Sequence, residues 1–97
     1  MSSVSDSQQR FFDLLDQYPR FTDLWNLEKR EYDPNATTAT MYTCSPGEGV
    51  ILKCLLTIWR GNAGPDGAFK IDLAELAIVD PVNRRPLLEW LADPFWP

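Results

Sequence analysis

The chain contains no histidine. That removes Ser–His and Cys–His nucleophile pairs and every imidazole metal ligand at once. The side chains left that could do chemistry are carboxylates and two thiols. Asp13 and Asp16, and likewise Glu28 and Glu31, are spaced to share one face of a helix. Acid–base work would need one carboxyl of a pair to be buried so that its pKa rises. Nothing around these pairs demands burial, so a solvated helix face is the better reading. Cys54 lies in an apolar run, where a thiol packs as a small hydrophobe. Cys44 reads as the more exposed thiol, with no neighbour that would activate it. Two cysteines alone cannot close a structural zinc site. No phosphate-cradling loop of the form G-x-x-x-x-G-K-[ST] or G-x-G-x-x-G occurs. The residues therefore imply no cofactor, no metal and no catalytic set.

A disulfide is excluded by distance. If Ser45 begins a helix, Cys54 lies about nine residues along it, roughly 13 Å from Cys44. If 45–49 is instead a hairpin turn, Cys54 lies about four residues beyond the position opposite Cys44, again roughly 13 Å. A bridge needs Cα atoms within about 7 Å. Two free thiols suit a reducing compartment.

Gly61-Asn62-Ala63-Gly64-Pro65-Asp66-Gly67-Ala68-Phe69 resembles one copy of the calcium-binding nonapeptide of repeats-in-toxin proteins, with Asn where that pattern has its second Gly. In that family calcium sits between stacked turns, so a single copy would lack half of its ligands. Turn chemistry accounts for these residues without a metal. The C-terminal Asp93-Pro94-Phe95-Trp96-Pro97 is less ordinary. Two large aromatics between prolines either pack back on their own domain as a latch or are offered to a partner. Phe95 and Trp96 are thus candidate partner contacts. Arg84 and Arg85 join them, because guanidinium groups can pair with a partner's carboxylates.

Composition narrows the rest. The chain has 97 residues, a formal net charge of -5 and 44% hydrophobic residues. That fits one core-forming domain over 1–97, with 1–4 expected to be disordered and 93–97 a Pro/aromatic tail. Four Trp, three Tyr and five Phe supply large buried areas for so short a chain. The acidic balance argues against nucleic acid, which requires clustered Lys and Arg, and against an anionic membrane surface. No segment reads as a targeting signal, and Lys53 and Thr57 interrupt the longest apolar run. The cytoplasm is the expected location.

The elements that would position these residues follow from caps and periodicity. Ser5 with Gln8 has the form of a capping box, and Phe11, Phe12, Leu15 and Tyr18 form one helical face ended by Pro19. A second helix is expected from Thr22, with Leu24, Trp25 and Tyr32 inward and Glu28, Lys29, Arg30 and Glu31 outward. Asp33-Pro34 can cap a new element, but Thr37, Thr38, Thr40 and Thr43 favour a strand, and 36–43 stays ambiguous. Ser45-Pro46-Gly47-Glu48 combines a capping Ser, Pro at the first helical position and Glu at the third. With a polar stripe of Gly49, Lys53, Thr57 and Arg60 and a stop at Gly61, it predicts a helix over 46–60. Residues 69–73 alternate like a strand, yet Asp72 reads as a helix cap, with Leu73, Leu76 and Ala77 inward. Pro81 stops that helix. Asn83 caps a last one, with Pro86 in its first turn and Leu87, Trp90 and Leu91 on its buried side.

The expected fold is mainly α, a compact irregular bundle of about five short helices. The alternative is a small α+β fold in which 37–43, 50–60 and 68–79 form a three-stranded antiparallel meander flanked by terminal helices. The expected function is a small non-enzymatic protein-interaction or regulatory domain, its partner another protein. The alternative is a small enzyme using carboxylates or a free thiol. Composition sets neither the partner's identity nor the oligomeric state.

Overall fold

A helix must find partners for the N–H groups of its first turn, and among the described residues Asp33, Ser45, Asp72 and Asp80 supply side-chain caps. The computed structural model describes residues 6–26, 28–29, 31–62 and 64–97. The expectations for residues 1–4, the Ser5 cap and Arg30 fall outside them. Five α-helices are described: α1 (Asp6–Leu15), α2 (Pro34–Thr43), α3 (Pro46–Arg60), α4 (Leu73–Ala77) and α5 (Pro81–Ala92). Two short 3-10 segments and a two-stranded ladder complete the fold. The radius of gyration is 12.9 Å, close to the roughly 13 Å of a packed chain of this length. The chain is mainly α, as expected.

The central helix is α3. Ser45 Oγ accepts from the Glu48 N–H at 3.3 Å, and Glu48 Oε1 accepts from the Ser45 N–H at 3.0 Å. Pro46 opens the helix, and Gly61 closes it in the left-handed region at φ 77°, where a side chain would be strained. Val50, Ile51, Leu52, Cys54, Leu55, Leu56 and Ile58 are all buried. An apolar surface that wide needs cover on several sides. Even the polar stripe is roofed: Lys53 Nζ pairs with Glu75 Oε2 at 3.3 Å, and Thr57 Oγ1 donates to the Phe69 carbonyl at 3.1 Å. Replacing Ser45 with alanine is expected to cost about 1 kcal/mol, since it removes one half of the capping box. Urea denaturation checks this, and an unchanged midpoint would contradict the cap.

The threonine-rich segment is helical too. Asp33 Oδ1 accepts from the N–H groups of Asn35 and Ala36, and Pro34 fills the first helical position. Thr38, Thr40 and Thr43 turn their hydroxyls back onto carbonyls four residues earlier, which satisfies groups that would otherwise compete with the helix. With 37–43 in α2 and 50–60 in α3, the three-stranded meander is ruled out.

The helix expected from Thr22 does not form. Residues Pro19–Leu24 are a 3-10 segment. The strands β1 (Trp25–Asn26) and β2 (Glu31–Tyr32) follow, antiparallel, with Trp25 opposite Tyr32. Asn26 Oδ1 accepts from the Lys29 N–H at 2.8 Å, making the turn. Seven residues separate Trp25 from Tyr32, a spacing that fits one helix face or, as here, two partners across a hairpin. Leu24 and Trp25 are buried as expected, and Glu28, Lys29 and Glu31 are exposed.

Two further corrections concern the C-terminal third. Residues 69–71 form no strand, and of the expected inward set on α4 only Leu76 is buried. Leu73 is 84% exposed, Ala77 is exposed, and Val79 fills the core instead. A helix of five residues has room for one inward position, and the chain turns straight after it, the Val79 N–H donating to the Leu76 carbonyl. The cap of α5 is Asp80, not Asn83: both the backbone and side-chain N–H groups of Asn83 donate to the Asp80 carboxylate. Pro81 therefore starts the helix that follows it. Pro86 then lies inside the helix, where it cannot donate to the Val82 carbonyl. Leu87 is buried and Trp90 half-buried, but Leu91 is 53% exposed.

The core gathers α1, the 3-10 segment, β1 and α3. Phe11 is wholly buried, with ring centroids 5.8 Å from Phe12, 5.4 Å from Trp25 and 5.0 Å from Trp59. Tyr18 is buried just beyond α1 and donates its hydroxyl to the Asn83 carbonyl, tying the N-terminal third to α5.

Candidate functional site

The tail folds back. Trp90 Nε1 donates to the Phe95 carbonyl at 3.0 Å, and the Trp90 and Phe95 rings meet edge to face. The Arg10 guanidinium lies 4.4 Å from the centre of the Phe95 ring and pairs with Asp93 Oδ2 at 3.2 Å. One arginine of α1 thus holds both sides of the bend after α5. Phe95 is half-buried by this arrangement. Trp96 meets Trp90 at 5.2 Å, edge to face, yet keeps 55% of its surface open.

The four residues marked as candidate partner contacts therefore divide. Phe95 is engaged in the latch. Arg84 donates to the Ala77 carbonyl at 3.3 Å and so serves the C-terminal end of α4. Arg85 is exposed and, among the described residues, has only its own-helix neighbour Glu89 within ion-pair distance. Trp96 and Arg85 remain on the surface.

Around Arg85 the outer face of α5 is apolar. Val82 is 79% exposed and Leu88 47% exposed. With Pro81, Arg84 and Arg85 they line a shallow concavity. Ile78 and Leu73 are also uncovered. With Asn83 as the cap and Pro81 as a stop, this surface is not visible from the sequence. Asp80-Pro81 is the same pair as Asp33-Pro34, whose form is that of a cap and first helical residue. Applying one rule to both would have begun α5 three residues earlier.

Neither of the two carboxylate pairs singled out in the sequence is buried. Asp13 and Asp16 are both exposed on and just beyond α1, and Glu28 and Glu31 lie in the hairpin, not on one helix face. The carboxylates that are shifted move down. Glu48 is lowered first by its hydrogen bond from the Ser45 backbone, and Asp80 by those from the Asn83 side chain and backbone. A lowered carboxyl stabilises the fold above the ordinary carboxylate range and stops doing so as pH falls through its depressed value. These are capping groups, not proton donors. Burial pushes the Cys54 thiol up to about 12, away from the thiolate that nucleophilic attack requires. Cys44 is half-buried, its thiol directed to the Met41 carbonyl at 3.6 Å. No group of three or more Cys, Asp or Glu able to hold a metal occurs among the described residues. No helix among them is long and apolar enough to cross a membrane.

In Gly61–Phe69, Asn62 Oδ1 accepts from the Gly64 N–H at 2.8 Å, and Gly61, Gly64, Asp66 and Gly67 all have positive φ. That is turn chemistry. Comparison with protein-family models, curated proteins and solved structures gives no match to this chain.

Proposed function

We propose that the protein is a small non-enzymatic interaction domain that binds another protein through the outer face of α5. One observation carries this reading: α5 has twelve residues and fully buries only Leu87. Val82 and Leu88, which line one shallow concavity, are left open. A helix that is apolar on more than one side is normally covered on more than one side. Contiguous exposed apolar surface of this kind marks contact sites. Arg85 would meet acidic groups of the partner, and the charge of the rest of the chain disfavours nucleic acid. A cytoplasmic setting is part of the proposal, supported by the two unpaired thiols. The alternative, an enzyme using a carboxylate or thiol, has less support, because the shifted carboxyls move down and the buried thiol moves up.

Val82→Asp with Leu88→Asp tests the reading. Both positions are exposed, so the unfolding midpoint should hold to within about 0.5 kcal/mol per substitution. Affinity capture from the native cell should recover at least one protein with the unaltered chain that the double variant loses. Identical captured sets from two equally stable chains would overturn the proposal.

A further inference from the structure

We propose that the cleft between α3, α4 and α5 binds a small aromatic acid, its ring against Phe69, Leu87 and Trp90 and its carboxylate at Lys70. This site is separate from the outer face of α5 and does not depend on its role. The cleft has a volume of about 240 Å³. An apolar cavity of roughly 150 Å³ holds one benzene ring, so there is room for a ring and a short arm.

The lining is poorly suited to water. Ile58, Ile71 and Leu76 add aliphatic surface to the aromatic residues. A held water needs two to four polar partners. The one hydroxyl in the lining, that of Thr57, already donates to the Phe69 carbonyl. Cys54 also faces the cleft, and its raised pKa, caused first by burial, reports the same low polarity. The space is therefore neither filled by protein nor well satisfied by solvent, and an apolar ring would recover the lost contacts.

Charge fixes the other end of the ligand. Lys70 is exposed and borders the cleft, and no described carboxylate lies within ion-pair distance of it. Lys53 of α3 is already paired with Glu75. Lys70 is the one cation among the described residues that line the cleft, and an anionic group at the mouth would complement it.

Titration of the full chain with phenylpropionate, followed by NMR, tests the inference, with phenylpropylamine as the oppositely charged probe. Phenylpropionate should shift the resonances of Ile71, Leu87 and the Trp90 indole saturably, and should bind about threefold or more tighter than the amine, the scale of one exposed charge contact and its reversal. Lys70→Glu, at an exposed position that leaves the fold intact, should reverse that preference. Absence of saturable shifts, shifts centred outside the cleft, or equal binding of acid and amine would overturn it.

Discussion

Phe11→Ala is expected to lower the stability of the folded chain by about 3–5 kcal/mol, a large part of what a small domain possesses. Phe11 is wholly buried and is the point where α1, β1 and α3 meet, through Phe12, Trp25 and Trp59. Truncation removes the transfer free energy of the ring and leaves a void that three neighbouring rings cannot readily close. The aromatic packing also contributes about 0.5–1.5 kcal/mol per pair beyond burial. Guanidinium denaturation followed by tryptophan fluorescence measures the loss, because Trp25 and Trp59 lie beside the site. Phe11→Leu, which keeps most of the volume, should cost markedly less. A loss under about 1 kcal/mol for the alanine variant would mean that α1 does not pack on α3 as described.

Deletion of residues 94–97 is the second large effect. It removes the half-buried Phe95 ring, the carbonyl that accepts from Trp90 Nε1, and the cation–ring contact with Arg10. A fully buried aromatic is worth about 1.5–3 kcal/mol, so partial burial and one hydrogen bond give a loss near 2 kcal/mol. For a domain of this size that lowers Tm by about 8–16 °C. Trp96→Ala alone should cost under about 1 kcal/mol, because much of that ring stays in solvent. The contrast separates the two aromatics of the tail: Phe95 fastens the chain, and Trp96 is available to a partner. A truncated chain that melts at the same temperature as the intact one would remove the latch.

Some of this could be read directly from the residues. Ser45, Pro46, Glu48 and Gly61 define α3 because caps and stops are local hydrogen-bonding devices that act within one turn of the residues that carry them. The burial of Leu24 and Trp25 was legible for a similar reason, since an apolar side chain seeks the core whatever its backbone does. The division between helix and hairpin at 22–32 was not legible. A seven-residue spacing of aromatics satisfies either, and the choice went to Asn26 closing a turn and to Trp25 packing on Phe11 from another element. Cys44 precedes the Ser45 cap and Cys54 lies well along α3, so the two thiols stand apart, as they would have in the hairpin alternative.

What tertiary structure alone decided is which apolar residues are left over. Sequence periodicity assigns Leu73 and Leu91 the same inward preference as Leu76 and Leu87, because hydrophobicity belongs to the residue and cover belongs to its neighbours. The five residues of α4 have room for one inward side chain, and α5 fully buries only Leu87. The outer face of α5 is therefore open. So is the cleft beside Cys54, where the lining comes from 54–58, 69–76 and 87–91, stretches whose approach no local pattern encodes. Charge, the absence of histidine and the capping signals determine what kind of domain this is. The proposed contact face and the proposed cleft lie where packed elements fail to cover one another.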